Sequence, residues 1–147
     1  MEKGAENPEP CRERRTGSLR LSGVWNAYDK EKGEYHTMKK IESGSLAVML
    51  DEETLGLRIE KDGVVWNTDP KKTPELIFAE GTYRFLDAEE ISHEAYSFGV
   101  GCGIRSHYAG FAGTPYAFET IIWIEAVDET LWMEWIPLCE EGLHPVK

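Results

Sequence analysis

Apolar and polar positions alternate in short runs along most of the chain. Leu55, Leu57 and Ile59 alternate with Gly56, Arg58 and Glu60, which is the period-two pattern of a half-buried strand. Asp62-Gly63 follows as a strong hairpin signal, and the chain returns through residues 64–66. From residue 19 onward, similar runs are bounded by turn residues about every ten positions. The pattern predicts an all-β chain.

The last third holds the two longest predicted strands, residues 118–127 and 130–138, joined at Asp128-Glu129. Both strands are partly apolar on both faces, so we expect this hairpin to lie centrally, with packing on each side. Residues 87–95 are acidic and tolerate at most one helical turn. The sum is a mostly antiparallel β-sandwich of about nine or ten short strands.

Length and composition predict one folded domain. Residues 1–17 carry Pro8, Pro10 and mixed charge without periodicity, which is typical of a flexible N-terminal arm. Residues 18–147 then form a single β-sandwich domain. The content of 41% hydrophobic and 29% charged residues is that of a globular protein rather than a disordered one.

The formal net charge of −11 argues against nucleic-acid and anionic-membrane partners, since phosphates would be repelled. No run approaches the roughly 20 apolar residues of a membrane span, and the N-terminus lacks the apolar region of a signal peptide. Cys11, Cys102 and Cys139 show no C-x-x-C spacing, so neither a disulfide framework nor a zinc site is indicated. These features favour a cytoplasmic location. We expect Cys102 and Cys139 in the core and Cys11 exposed.

A glycine series, Gly99-x-Gly101-x-Gly103, opens the segment richest in candidate chemistry. A phosphate-binding glycine motif needs a helix behind it, and the residues that follow are not a helix start. We therefore expect no dinucleotide cofactor. The glycines predict a bulge, or the close approach of another backbone or of a ligand.

Arg105, His107 and Tyr108 follow, ahead of a loop that reaches Tyr116. In an extended segment Arg105 and His107 share a face, where they can hydrogen-bond hydroxyls or a carboxylate. With Tyr116 and Trp123 they form the predicted ligand-binding set, whose aromatic faces can stack on sugar C–H surfaces. The alternative is an ordinary polar rim at a sheet edge.

Catalytic and metal sites find little support in the sequence. No second His or Cys stands at ligand spacing, so no metal site is expected. Ser106 and His107 point to opposite faces of a strand and form no nucleophile–base pair. Glu119 and Glu125 share a strand face but lie about 20 Å apart, too far to act on one glycosidic bond. Glu134 can approach either only through the hairpin register. We predict no catalytic residue in this chain.

The five tryptophans are a high count for this length, and we expect at least three of them to serve packing. They are Trp25, Trp66, Trp123, Trp132 and Trp135.

Two stretches carry a resemblance: IESGSLAVMLDEETLGLRIEKDGVVWNTDP from residue 41, and GIRSHYAGF from residue 103 with FETIIWIEAVDETLWMEWIPL from residue 118. Together they resemble the N-terminal, galactose-mutarotase-like β-sandwich of bacterial glycosidase-like proteins. The resemblance implies a carbohydrate-associated module that binds saccharide or supports a separate catalytic (β/α)₈ barrel domain. It implies that this chain alone is not an enzyme.

Two other functions stay open. Gly23-Val24-Trp25 is similar to the Gly-x-Trp opening of lipocalin-like proteins, which suggests a closed calycin-type barrel around a small hydrophobic ligand. A structural interaction subunit is the third hypothesis. It predicts an exposed apolar sheet face or edge and a homo-oligomer.

Overall fold

A computed structural model gives the fold, and it describes residues 20–29, 34–69 and 71–138, with side chains from residue 37 onward. The described residues form eleven strands and one 3-10 helix (Phe85–Asp87), which confirms the all-β prediction. Among them no helix has the length and apolar character needed to cross a membrane. The strands are β1 (Arg20–Asp29), β2 (Glu34–Ser43), β3 (Leu46–Asp51), β4 (Leu57–Lys61), β5 (Val64–Asn67), β6 (Glu75–Phe78), β7 (Gly81–Arg84), β8 (Ala88–Phe98), β9 (Gly101–Phe111), β10 (Ala117–Glu125) and β11 (Thr130–Pro137).

Two antiparallel sheets pack face to face. The first runs β1-β2-β3-β4-β5 in chain order, and the second runs β11-β10-β9-β8. Aliphatic side chains from both sheets form one buried cluster between them. Its members are Ile41, Leu46, Val48, Leu50, Leu57, Ile104, Ile122 and Ile124.

The strand order decides between a sandwich and a barrel. The described strands make a five-stranded sheet that ends at β5, a separate four-stranded sheet that ends at β11, and the two-stranded β6-β7 hairpin. The predicted sandwich is confirmed, and the closed calycin-type barrel is wrong because β5 and β11 pair with no strand that would close the sheet.

The turn at Asp62-Gly63 behaves as its sequence predicts. Asp62 has φ 51° and Gly63 has φ 80°, and Lys61 pairs with Val64 across the loop. Two successive positive φ angles are the signature of a two-residue type I′ hairpin, whose twist matches that of the flanking strands. The turn thereby sets the β4–β5 register.

Aromatic side chains form a second cluster. The β6–β7 hairpin and the 3-10 helix bring Phe78 and Phe85 against Tyr108, Phe111 and Phe118 of the second sheet. Phe85 is fully buried and lies 4.6 Å from Tyr108, measured between ring centroids. This cluster packs the segment that connects the first sheet to the second against β9 and β10.

Residues 87–95, predicted to hold at most one helical turn, begin at the last residue of the 3-10 helix and continue as β8. Because β8 is an end strand, its glutamates reach water while its backbone pairs with β9. The prediction that the β10–β11 hairpin lies centrally was wrong, since β11 is the opposite end strand. Met133 and Trp135, on the side that faces the first sheet, remain 44% and 50% exposed.

Cys102 is buried as predicted. The predicted arm at residues 1–17, together with Cys11 and Cys139, lies outside the described residues.

The free energies of unfolding of two isoleucine variants test the core between the two sheets. Ile124 is fully buried between the sheets, whereas Ile77 is 47% exposed. We expect Ile124→Ala to lower the free energy of unfolding by about 2–5 kcal/mol through lost burial and a residual cavity. Ile77→Ala should cost less than about 1 kcal/mol. Urea unfolding followed by far-UV circular dichroism measures both, and equal losses would contradict this core.

Candidate functional site

The second sheet has an inner face toward the first sheet and an outer face away from it. Since Ile104 and Ile122 point inward, strand alternation places their neighbours in sequence outward. The outer face combines aromatic and charged side chains from all four strands. These are Glu94, Tyr96 and Phe98 on β8, Arg105 and His107 on β9, Glu119 and Trp123 on β10, and Trp132 and Glu134 on β11.

An aromatic strip, made of Phe98, Trp123 and Trp132, crosses one end of the outer face. The Trp123 and Trp132 rings lie 5.8 Å apart at an interplanar angle of 13°. Phe98 meets Trp123 edge-on at 5.9 Å. The Trp123 Nε1 donates a 2.7 Å hydrogen bond to Glu134 Oε1, which fixes the orientation of the indole.

Two glycines of β9 make room for the central indole. A Cβ at Gly101 would lie 2.6 Å from Trp123 Cε3, and one at Gly103 would lie 2.3 Å from the Ile122 carbonyl oxygen. Any side chain at either position would displace Trp123 or the β10 backbone. The predicted close approach at these glycines is therefore confirmed.

A charged cluster lies next to the strip, made of Glu94, Arg105, His107 and Glu119. Arg105 lies 3.6 Å from Glu94 and 3.8 Å from Glu119, measured between nitrogen and carboxylate oxygen. The His107 Nδ1 is 3.8 Å from the same Glu119 carboxylate. The Arg105 guanidinium also lies 5.0 Å from the centre of the Tyr96 ring.

Arg105 keeps unused hydrogen-bonding capacity. Its Nε is buried and has no hydrogen-bond partner among the described residues. Its two carboxylate neighbours lie beyond hydrogen-bond distance. Because a guanidinium presents five N–H donors, this side chain can still bind hydroxyl or carbonyl oxygens of a ligand.

The predicted binding set divides between two sides of the sheet. Arg105, His107 and Trp123 meet on the outer face. Tyr108 lies on the inner face and is 3% exposed, and burial raises the pKa of its hydroxyl. Tyr116 stacks on Phe78 at 4.4 Å and packs against the aromatic cluster, not with Arg105 on the outer face.

Tyr116 is also fixed at its other end. Its hydroxyl donates to the Glu80 carboxylate, and this hydrogen bond lowers the pKa of Glu80. The segment from Arg105 is not a sheet edge, because β9 lies between β8 and β10. The polar-rim alternative therefore does not describe Arg105 or His107.

Sequence reasoning missed the partners that complete the outer face, Phe98, Tyr96, Glu94 and Trp132. The Trp123–Trp132 pair follows from the β10–β11 register. Trp66, Trp132 and Trp135 are 50–52% exposed, so the packing role expected for most tryptophans does not hold for these three.

The three strand carboxylates all have local partners. Glu119 contacts Arg105, and Glu134 accepts from Trp123. Glu125 accepts from the backbone N–H groups of Val127 and Asp128 at 3.0 and 2.9 Å, closing the β10–β11 turn. Each therefore has a structural role. In the described part of the chain, no group of three His, Cys, Asp or Glu side chains is placed to hold a metal ion.

Ser106 lies on the inner face, opposite to His107, as alternation predicts. Its Oγ is 2.7 Å from the Nδ1 of His93 on β8. The His93 Nε2 is buried with no hydrogen-bond partner among the described residues. Burial lowers the pKa of His93. Two smaller effects come from the charge of Glu52, which raises this pKa, and from the charge of Lys39, which lowers it.

Gly103→Ala tests the close approach of Trp123 and the β10 backbone to Gly103. We expect it to lower the free energy of unfolding by about 1–3 kcal/mol, because a Cβ would meet the β10 backbone. Gly81→Ala is the matched control, since a Cβ there meets only Tyr83 at 3.9 Å. Urea unfolding gives the energies, and the near-UV circular dichroism of tryptophan reports the displaced ring. A Gly103 variant as stable as the Gly81 variant would contradict the geometry.

The depressed pKa of His93 makes stability depend on pH. The native state disfavours the protonated ring, so the contribution of His93 is fully present above its unfolded pKa of 6.5. It is lost as the pH falls from there toward the lower native pKa. We expect His93→Gln to flatten the decline in the unfolding midpoint between about pH 7 and pH 5. His107→Gln, on the opposite face, is the control, and an unchanged decline in the His93 variant would contradict the assignment.

Solved structures of the alpha-N-acetylgalactosaminidase NagBb from Bifidobacterium bifidum are similar to this chain. The Gal-NHAc-DNJ complex is 37% identical with a TM-score of 0.67, covering 72% of this chain and 17% of that one. The GalNAc complex is 37% identical with a TM-score of 0.66, over 69% and 16%. The ligand-free enzyme is 37% identical with a TM-score of 0.64, over 67% and 16%.

No family model matches the chain, and no curated protein sequence matches it. The chain spans about 17% of the length of NagBb. The resemblance to a β-sandwich portion of a bacterial glycosidase is thus confirmed. The N-terminal position of that portion and its mutarotase-like relationship stay predictions.

Proposed function

We propose that this chain is a carbohydrate-associated β-sandwich module of a glycosidase-like protein, and that its outer face binds saccharide. The observation that carries the proposal is the 37% identity to NagBb over 72% of this chain. Because the match covers only 17% of that enzyme, hydrolysis is assigned to a separate catalytic barrel domain and not to this chain.

The side chains of the outer face suit a sugar ring. A pyranose presents apolar C–H patches beside hydroxyl groups, so it is held best by an aromatic surface next to polar donors. Phe98 and Trp132 leave 60% and 50% of their surface exposed. Arg105 lies beside this strip, and its side chain is 37% exposed. Apolar contact and charge-assisted hydrogen bonds are thus available within one surface.

The first saccharide to test follows from the similar enzyme. NagBb is an alpha-N-acetylgalactosaminidase whose structures hold GalNAc or Gal-NHAc-DNJ. We therefore propose N-acetylgalactosamine, free or α-linked, as the ligand class for the outer face. The acetamido carbonyl would accept a hydrogen bond from Arg105, and the C–H face would lie on Trp132.

Titration calorimetry with N-acetylgalactosamine and its α-methyl glycoside tests this function. We expect Trp132→Ala and Arg105→Ala each to weaken binding about tenfold, which corresponds to about 1.4 kcal/mol. Trp135→Ala is the matched control. It lies on the same strand with the same 50% exposure, but on the inner face, and should leave the affinity unchanged.

Two results would contradict saccharide binding at this face. One is the absence of binding to both sugars and to a wider glycan array by the folded wild-type chain. The other is an equal loss in the Trp132 and Trp135 variants, which would indicate a general effect on the fold. Either result would leave a supporting role beside a catalytic domain as the function.

A further inference from the structure

A cavity of about 440 Å³ lies between the sheets, beside end strand β11. Leu57 of the first sheet and Ile122, Met133 and Trp135 of the second form its apolar walls. Residues 68–69 and 72–74 border its mouth. It is separated from the outer face by the thickness of the second sheet, so it is not part of the proposed saccharide surface.

The cavity has polar groups at two defined places. Tyr108 and Thr120 line its inner wall, and each contributes a hydroxyl group there. Lys72 lies at the mouth, is exposed, and has no ion-pair partner within the described ranges. Asp69 also lines the mouth, and its carboxylate accepts a 2.9 Å hydrogen bond from the backbone N–H of Lys71. An apolar interior with the Lys72 ammonium at its entrance suits a molecule that is apolar along its body and anionic at one end.

The shape favours a small molecule over a protein partner. A volume of about 440 Å³ falls in the range of sites that enclose small ligands, about 300–1,000 Å³. Two sheets and the 3-10 helix residue Phe85 line it, and it is open toward solvent on one side. A docked protein would use the adjacent, similarly exposed Val64, Val65 and Trp66 of end strand β5, and none of these lines the cavity.

We propose that this cavity binds a small amphipathic anion, with its apolar body between the sheets and its anionic group at Lys72. The proposal does not depend on saccharide binding by the outer face. Met133 and Trp135 would cover the apolar body, since both lie on the inner face of β11 and are about half exposed.

Fluorescence titration of the 147-residue chain with two related probes tests the site. One is 1-anilinonaphthalene-8-sulfonate, and the other is N-phenyl-1-naphthylamine, which shares the aromatic body but lacks the sulfonate. We expect one saturable site for each. Met133→Glu should weaken both probes about tenfold, because it places a charge in the apolar wall. Ile77→Glu adds the same charge at an exposed residue that does not line the cavity, and it should change neither affinity by more than about twofold.

The lysine is tested separately. Lys72→Glu should weaken the sulfonate probe about tenfold and leave the uncharged probe within about twofold. Lys71→Glu, at the neighbouring exposed residue that does not line the cavity, should leave both probes within about twofold. Thermal unfolding of each variant confirms that the fold is retained.

Several outcomes would overturn the proposal. These are no saturable binding of either probe, an affinity unaffected by Met133→Glu, or equal losses with Ile77→Glu. A dimer in sedimentation velocity that Met133→Glu dissociates would overturn it as well, because the cavity would then be an interface between copies. Saccharide titrations of the same variants separate a failure here from a failure of the outer face.

Discussion

The packing of one aliphatic layer between the two sheets determines the rest of the structure. Ile41 and Val48 from the first sheet meet Ile104 and Ile124 from the second, and all four are buried. Because side chains alternate along a strand, these contacts also decide which residues of β9 and β10 point away from the core. A one-residue shift of β9 would bury Arg105 and expose Ile104. The same shift of β10 would bury Trp123 and expose Ile124. The core and the candidate site are therefore specified by the same alternation.

The outer face depends on a second constraint, the absence of side chains at Gly101 and Gly103. These two positions let the Trp123 indole lie over β9, where it contacts Phe98 on one side and Trp132 on the other. The glycines remove bulk at one end of the sheet, and Arg105, two residues later on the same face, places a cation beside the rings. An aromatic strip and a charged cluster thus arise from one short segment of β9.

Local pattern predicts much of this fold, because hairpins are formed by residues close in sequence. The Asp62-Gly63 turn, the alternating strand that ends there and the glycine contacts follow from local chemistry. Alternation also separates Tyr108 from Arg105 and His107, because position 108 points to the opposite face of the strand. Tyr108 therefore does not belong with the predicted binding residues on the outer face.

What the sequence does not reveal is the order of strands within each sheet. The apolar residues on both faces of the last strand predict a central position, yet β11 is an end strand. Sheet order depends on contacts between distant segments, such as β2 with β9 and β10, and no local motif encodes them. The contact between Trp123 and Trp132 could not be predicted either, because the register that pairs them depends on the length of the turn at residues 126–129.

The position of β11 explains why one strand bears on two separate surfaces. An interior strand with Trp132 on one face and Trp135 on the other would have both rings covered. At the end of the sheet each ring is half exposed, one beside the charged cluster and the other over the cavity between the sheets. The two rings are three positions apart and on opposite faces, so a ligand that contacts one cannot contact the other. The apolar residues on both faces of β11 are therefore better explained by two exposed surfaces than by burial in the sheet.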